Sequence, residues 1–214
     1  PYKKPFKIAT ATYLSQPFIY VEVKTDSGIT GFGEACPAYE FTGETMGTVT
    51  AIIKERLEKC LIGLDPFNID EAVRLMDRAT VGNPSAKAAI EMALYDIVGK
   101  ATGEPVCKII GGMTRNVIPE VGGAVIADVR EVLEKVKRDV DRGLKILKIK
   151  VGEDPYKDAE KIKLIREAVG WSVKIRADAN QGWIKPKKAI KAIRLMEKYE
   201  LELVEQPIVW WDLD

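Results

Sequence analysis

The chain has 214 residues, with 33 Lys+Arg against 32 Asp+Glu and a formal net charge of +1. A hydrophobic fraction of 46% beside 30% charged residues suits a chain that buries a core. The near-neutral total gives no electrostatic reason for a nucleic acid or an anionic membrane as partner. No run approaches the ~20 apolar residues of a spanning helix, and residues 1–7 lack a signal-peptide layout, so a cytoplasmic protein is expected. In chain order, residues 18–23 and 29–35 alternate as strands around the turn-forming Thr25-Asp26-Ser27-Gly28, which predicts an antiparallel hairpin. Residues 36–43 read as loop. Val49, Ile52, Ile53, Arg56 and Leu57 then recur at helical spacing, and Leu64-Asp65-Pro66 stops that helix. Further helices are predicted over 70–79 and 86–100, the latter with Ser85 as N-cap and Gly103 as stop. Gly111-Gly112 and the turn to Asn116 read as a boundary. Beyond it, strand candidates at 120–126, 144–150, 173–178 and 201–205 alternate with helices at 129–142, 156–169 and 187–199. That alternation predicts βαβ units and a parallel sheet, either barrel or open.

The chain contains no histidine, which excludes Ser–His and Cys–His nucleophile pairs, HExxH zinc sites and a histidine base within these residues. Acid–base chemistry falls to Lys, Asp, Glu, Tyr or Cys. Cys36, Cys60 and Cys107 form no CxxC pair, so reduced core thiols are expected rather than disulfides or zinc. Three successive strands end in charge: Lys148-Ile149-Lys150, Arg176-Ala177-Asp178 and Val204-Glu205-Gln206. Taken singly, these could be solvated lysines, a turn cap and an ordinary ion pair. Together they mark the carboxyl end of the sheet, where α/β folds bind ligands. Asp178 and Glu205 offer hard oxygen ligands suited to Mg²⁺, with Mn²⁺ as the alternative ion; two carboxylates leave a third ligand to be supplied. A cation on a substrate carboxylate stabilises the enediolate left when the α-proton departs. Lys150 is the candidate base and Lys148, two residues back on the same face, its tuner, because a neighbouring ammonium lowers a lysine pKa.

The set Lys148-Ile149-Lys150, Asp178-Ala179-Asn180-Gln181-Gly182-Trp183 and Glu205-Gln206-Pro207 resembles the enolase superfamily, and more closely its muconate-lactonising subgroup. Thr30-Gly31-Phe32-Gly33-Glu34-Ala35, Phe41-Thr42-Gly43-Glu44-Thr45 and residues 86–100 are similar to that subgroup's cap. The resemblance implies an α/β protein: an α+β capping domain (1–115) followed by the first half of a modified TIM-type (β/α) barrel (116–214). It implies Lys150 as base with Lys148 as partner, Asp178 and Glu205 as metal ligands, and Asn180 and Gln206 beside them. Substrate-facing cap loops would lie near 7–16 and 38–45. There Tyr39, Phe41 and Thr42 are substrate-binding candidates, although Tyr39 and Phe41 could instead pack between cap and barrel.

The resemblance further implies a Mg²⁺-dependent isomerase acting on a small-molecule carboxylate, either a muconate cycloisomerase or an amino-acid or dipeptide epimerase. An o-succinylbenzoate synthase-like dehydratase would use the same lysines. The family's third metal ligand and opposing lysine sit on later strands. Only four strand candidates follow the cap, where a TIM-type barrel needs eight. The chain therefore reads as a fragment, with residues 208–214 as the start of a further helix. Activity is expected to need the missing barrel half, and a homo-oligomer is expected. The alternative is a catalytically silent half-barrel that pairs through its sheet edges.

Overall fold

The structure, a computed structural model, describes residues 1–212. Contacts divide it into two compact units, residues 1–15 with 117–214 and residues 16–116. The first fifteen residues thus pack with the strand–helix unit, although they precede the capping segment in sequence. They form a short hairpin of β1 (Phe6–Lys7) and β2 (Thr12–Tyr13). The Ile126 N–H donates to the Lys7 carbonyl at 3.0 Å, and Lys7 pairs with Glu153 at 2.7 Å.

In the 16–116 unit, β3 (Ile19–Lys24) and β4 (Thr30–Ala35) form the expected antiparallel hairpin, with Ile19 opposite Ala35 and Lys24 opposite Thr30. Gly28 turns the chain at φ 85°, in the left-handed region that glycine enters freely. The segment expected as loop holds one helical turn, α1 (Tyr39–Thr42), because the N–H groups of Phe41 and Thr42 both find the Ala38 carbonyl before Gly43 ends the turn. Next come α2 (Met46–Ile52), a π-helical turn at Ile53–Leu57, α3 (Glu58–Leu61), α4 (Ile69–Ala79), α5 (Pro84–Thr102) and α6 (Val106–Ile109). Thr45 caps α2 through a reciprocal bond pair with Thr48. The core gathers Val49, Leu57, Met76, Ala89 and Ile97, all essentially inaccessible. Gly31 and Gly33 let β4 approach α5 so closely that a Cβ at either would overlap the carbonyl oxygens of Ala93 and Ala89. Ser85 is not the N-cap of α5: Asn83 occupies that position, Pro84 starts the helix, and Ser85 lies inside the first turn.

The second unit runs β5 (Gly122–Ala124), α7 (Val129–Asp141), β6 (Ile146–Lys150), α8 (Pro155–Val169), β7 (Lys174–Asp178), α9 (Pro186–Met196), a 3₁₀ turn (Glu197–Tyr199) and β8 (Leu201–Glu205). The strands lie in the order β5-β6-β7-β8, all parallel, which is the first half of a TIM-type barrel. Leu147, Ile149, Ile175 and Ala177 are fully buried against Val132, Val136, Ile162, Ile165 and Met196. Strand periodicity puts Lys148, Lys150, Arg176 and Asp178 on the opposite face.

Three further expectations change. The first strand is shorter than 120–126: only Gly122, Gly123 and Ala124 pair with β6. Cys36 is exposed and Cys60 and Cys107 are partly so, with all three thiols free, so none is a core residue. Residues 208–212 are turn and loop, not helix: the Asp212 N–H reaches back only to Val209, and the Trp210 N–H is taken by the Gln181 side chain. Leu213 and Asp214, the rest of that expected helix, lie outside the described residues. Among the described residues no helix is long and apolar enough to cross a membrane.

Candidate active site

Parallel register brings the charged strand ends into one row. Lys150 is the direct partner of Asp178, and Asp178 of Glu205. The Lys150 Nζ donates to Asp178 Oδ2 at 2.7 Å and to Asn180 Oδ1 at 2.8 Å. The Lys148 Nζ meets Asp178 Oδ2 at 3.0 Å and both Glu205 carboxylate oxygens at 2.8 Å. The Asn180 N–H closes the arrangement on Asp178 Oδ1 at 2.9 Å. Gln206 stands apart: its side chain donates to the Ile208 carbonyl at 3.3 Å, while its own carbonyl accepts from the Gln181 N–H at 2.7 Å.

Asp178 is 1% exposed. Burial alone would push its carboxyl up; the Lys150 ammonium, the Asn180 N–H and the Lys148 ammonium reverse this and hold it below the usual carboxylate range. For Lys148, burial pulls the ammonium down, but Glu205 and Asp178 outweigh it and raise the pKa above the ordinary lysine value. In this ion-paired arrangement Lys148 is therefore a firmly charged group.

The two carboxylates converge on one cation, the Lys148 ammonium, so their oxygens are already aimed at a shared point of positive charge. That geometry, with an all-oxygen donor set, fits Asp178 and Glu205 as part of a hard-cation site. Among the described residues no group of three His, Cys, Asp or Glu side chains gathers to hold a metal ion. In the other unit Tyr39, Phe41 and Thr42 lie on α1, with the two aromatic rings largely exposed.

Residues 1–111 match the N-terminal domain of the mandelate racemase / muconate lactonizing enzyme family, and residues 131–214 match the enolase C-terminal domain-like family. The chain belongs to the enolase superfamily. This superfamily chain is 40% identical over 213 residues to a hydrophobic dipeptide epimerase of Enterococcus faecalis, covering 99% of the chain and 59% of the relative. A crystal structure of the dipeptide epimerase from that organism, with Mg and the dipeptide L-Leu-L-Tyr, superposes with a TM-score of 0.91 at 39% identity. It matches 99% of this chain and 59% of its own. The N-succinyl Arg/Lys racemase structure from Bacillus cereus reaches 0.95 at 35% identity, over 99% of this chain and 57% of that one. A chloromuconate cycloisomerase of Cupriavidus necator is 36% identical over 219 residues, covering 97% of the chain and 57% of the relative. The chain thus spans about six-tenths of the length of the relatives it matches.

Sequence reasoning passed over Asp158, Lys161 and the indole of Trp183, all packed behind the lysine strand. Asp158 and Lys161 stand three residues apart on α8, a spacing that by itself points to no site. The only signal in the sequence was Trp183 closing a motif that begins with a candidate ligand.

Proposed function

We propose that the complete protein containing this chain is a Mg²⁺-dependent isomerase that removes the proton α to a carboxylate, acting as an amino-acid or dipeptide epimerase. The observation that carries this reading is the register row Lys150–Asp178–Glu205, with Lys148 on the same face. The higher identity to the epimerase than to the cycloisomerase favours epimerisation over ring closure. Held by Asp178 and Glu205, Mg²⁺ would supply positive charge at the substrate carboxylate, with Mn²⁺ as a substitute ion.

Lys150, once its ammonium has lost a proton to become the neutral amine, takes the α-proton at its Nζ, which Asn180 Oδ1 steadies from one side. Lys148 stays charged between Glu205 and Asp178 and contributes a fixed positive field beside the reacting carbon. Tyr39, Phe41 and Thr42 select the substrate side chain, and Gln206 acts through the backbone beside Glu205. Turnover belongs to the complete barrel; the 214-residue chain alone binds cation weakly and does not turn over. The test is exchange of the substrate α-hydrogen in D₂O by the complete protein, across a panel of dipeptides, N-acyl amino acids and muconate. Lys150→Ala should lower exchange ~10²–10⁴-fold with folding intact. Full activity in that variant would remove Lys150 from the reaction.

A further inference from the structure

Behind the charged row lies a second layer that never reaches the open face. Asp158, on the first turn of α8, is 1% exposed, and Trp183 is completely buried. A single oxygen, Asp158 Oδ2, accepts the Gly152 N–H and the Trp183 indole N–H, each at 3.0 Å. The other oxygen faces the Lys161 ammonium at 3.5 Å, and Lys161 Nζ in turn donates to the Lys150 carbonyl at 2.9 Å. One carboxylate therefore holds the chain just after Lys150, at the Gly152 N–H directly and at the Lys150 carbonyl through Lys161, and, through Trp183, the far end of the loop that starts at Asp178. That loop needs holding. Asn180, Gln181 and Ile184 adopt φ of 42°, 67° and 64°, a region costly for residues with a Cβ and most of all for a β-branched one. Gly152, at φ 108°, passes so close that a Cβ there would overlap the Ala179 carbonyl and sit 2.8 Å from the Ala9 methyl.

We propose that Asp158 is a positioning residue that, through Gly152, Lys161 and Trp183, fixes the place of the Lys150 Nζ beside Asp178 and Asn180. This rests on the reading of Lys150 as the base. It touches neither substrate nor metal ligand, so its effect is geometric: near-attack placement of the base relative to the loop that carries Asp178. A shift of about 1 Å in such a placement can cost ~10²-fold in rate.

Two measurements on the complete protein test it. In the first, Asp158→Ala lowers kcat for α-hydrogen exchange ~10–100-fold with KM little changed. Asp158→Asn recovers most of kcat, because its amide oxygen can take the same two N–H groups. Trp183→Phe, which keeps a ring in the slot but removes one donor, falls between. The double variant Asp158→Ala/Trp183→Phe is no slower than Asp158→Ala, since both act through one bond. A lower melting temperature with unchanged kcat in Asp158→Ala, or multiplicative losses in the double variant, would overturn the proposal. The second is a crystal structure of Asp158→Ala, which needs no substrate. Displacement of the Lys150 Nζ from Asp178 and Asn180 supports the clamp, and an unmoved Lys150 overturns it. Should the wild type exchange no α-hydrogen while Lys150 moves in the variant, the proposed reaction falls and the clamp stands.

Discussion

One buried carboxylate from each unit, Glu44 and Asp178, shows how differently such groups can be satisfied. Glu44, 3% exposed, accepts the Ser85 N–H on both oxygens at 3.1 and 3.0 Å, the Ser85 hydroxyl at 2.6 Å and the Ala86 N–H at 3.1 Å. It supplies the acceptor that Asn83 does not, capping α5 from 41 residues away. Asp178 is buried as deeply but is held largely by two ammonium groups on long side chains. Backbone N–H groups cannot leave Glu44 without unwinding the helix, whereas lysine side chains can rotate off Asp178. Burial alone therefore does not separate the two carboxylates; the kind of donor does.

The sharpest way to break this comparison is metal binding. Asp178→Asn in the complete protein should weaken Mg²⁺ by more than the ~10–100-fold that follows loss of an outer hydrogen-bond partner. Glu44→Gln should leave a calorimetric Mg²⁺ titration unchanged. Stability comes next. Glu44→Ala strands the Ser85 and Ala86 N–H groups and should cost ~1–3 kcal/mol in urea denaturation, with Glu44→Gln losing less. A smaller effect is read against pH. Burial would raise the Glu44 carboxyl, but the Ser85 and Ala86 donors and the Thr42 hydroxyl hold it below its ordinary value. A depressed folded pKa means the unfolded chain binds more protons, so this stabilisation is complete above the ordinary glutamate pKa. It is lost as pH falls through the folded value, and Glu44→Gln should flatten that part of an acid-denaturation curve. The smallest effect is on an exposed pair. Lys4 and Glu131 meet at 3.2 Å with side chains 78% and 56% exposed, and Lys4→Ala should change stability by less than ~1 kcal/mol.

Strands β6, β7 and β8 were legible because each is a short segment with apolar residues that closes in charge, and the ends at Lys150, Asp178 and Glu205 follow from that pattern. The β3–β4 hairpin was legible from alternation around Thr25–Gly28. What the sequence hid depends on partners far along the chain. Nothing local to Glu44 points to Ser85, so Ser85 itself looked like the cap. Nothing in the linear pattern around Asp158 shows that Trp183, 25 residues on, donates to it. Cys36 read as core from its type, yet it lies exposed beside the Gln16 amide at 3.1 Å. The apolar neighbours of Gly122–Ala124 suggested a longer strand than the three residues that pair with β6.

The glycine contact between β4 and α5 acts as a key in a slot. With carbonyls of Ala89 and Ala93 seated where side chains would otherwise stand, the strand and helix can neither slide nor rotate past each other. One residue inserted within that part of α5 would turn everything beyond it by ~100° and swing a larger side chain into the slot. Length changes next to α5 are therefore confined to the turns at 80–83 and 103–105, which makes α5 the fixed ruler against which the rest of the 16–116 unit can vary.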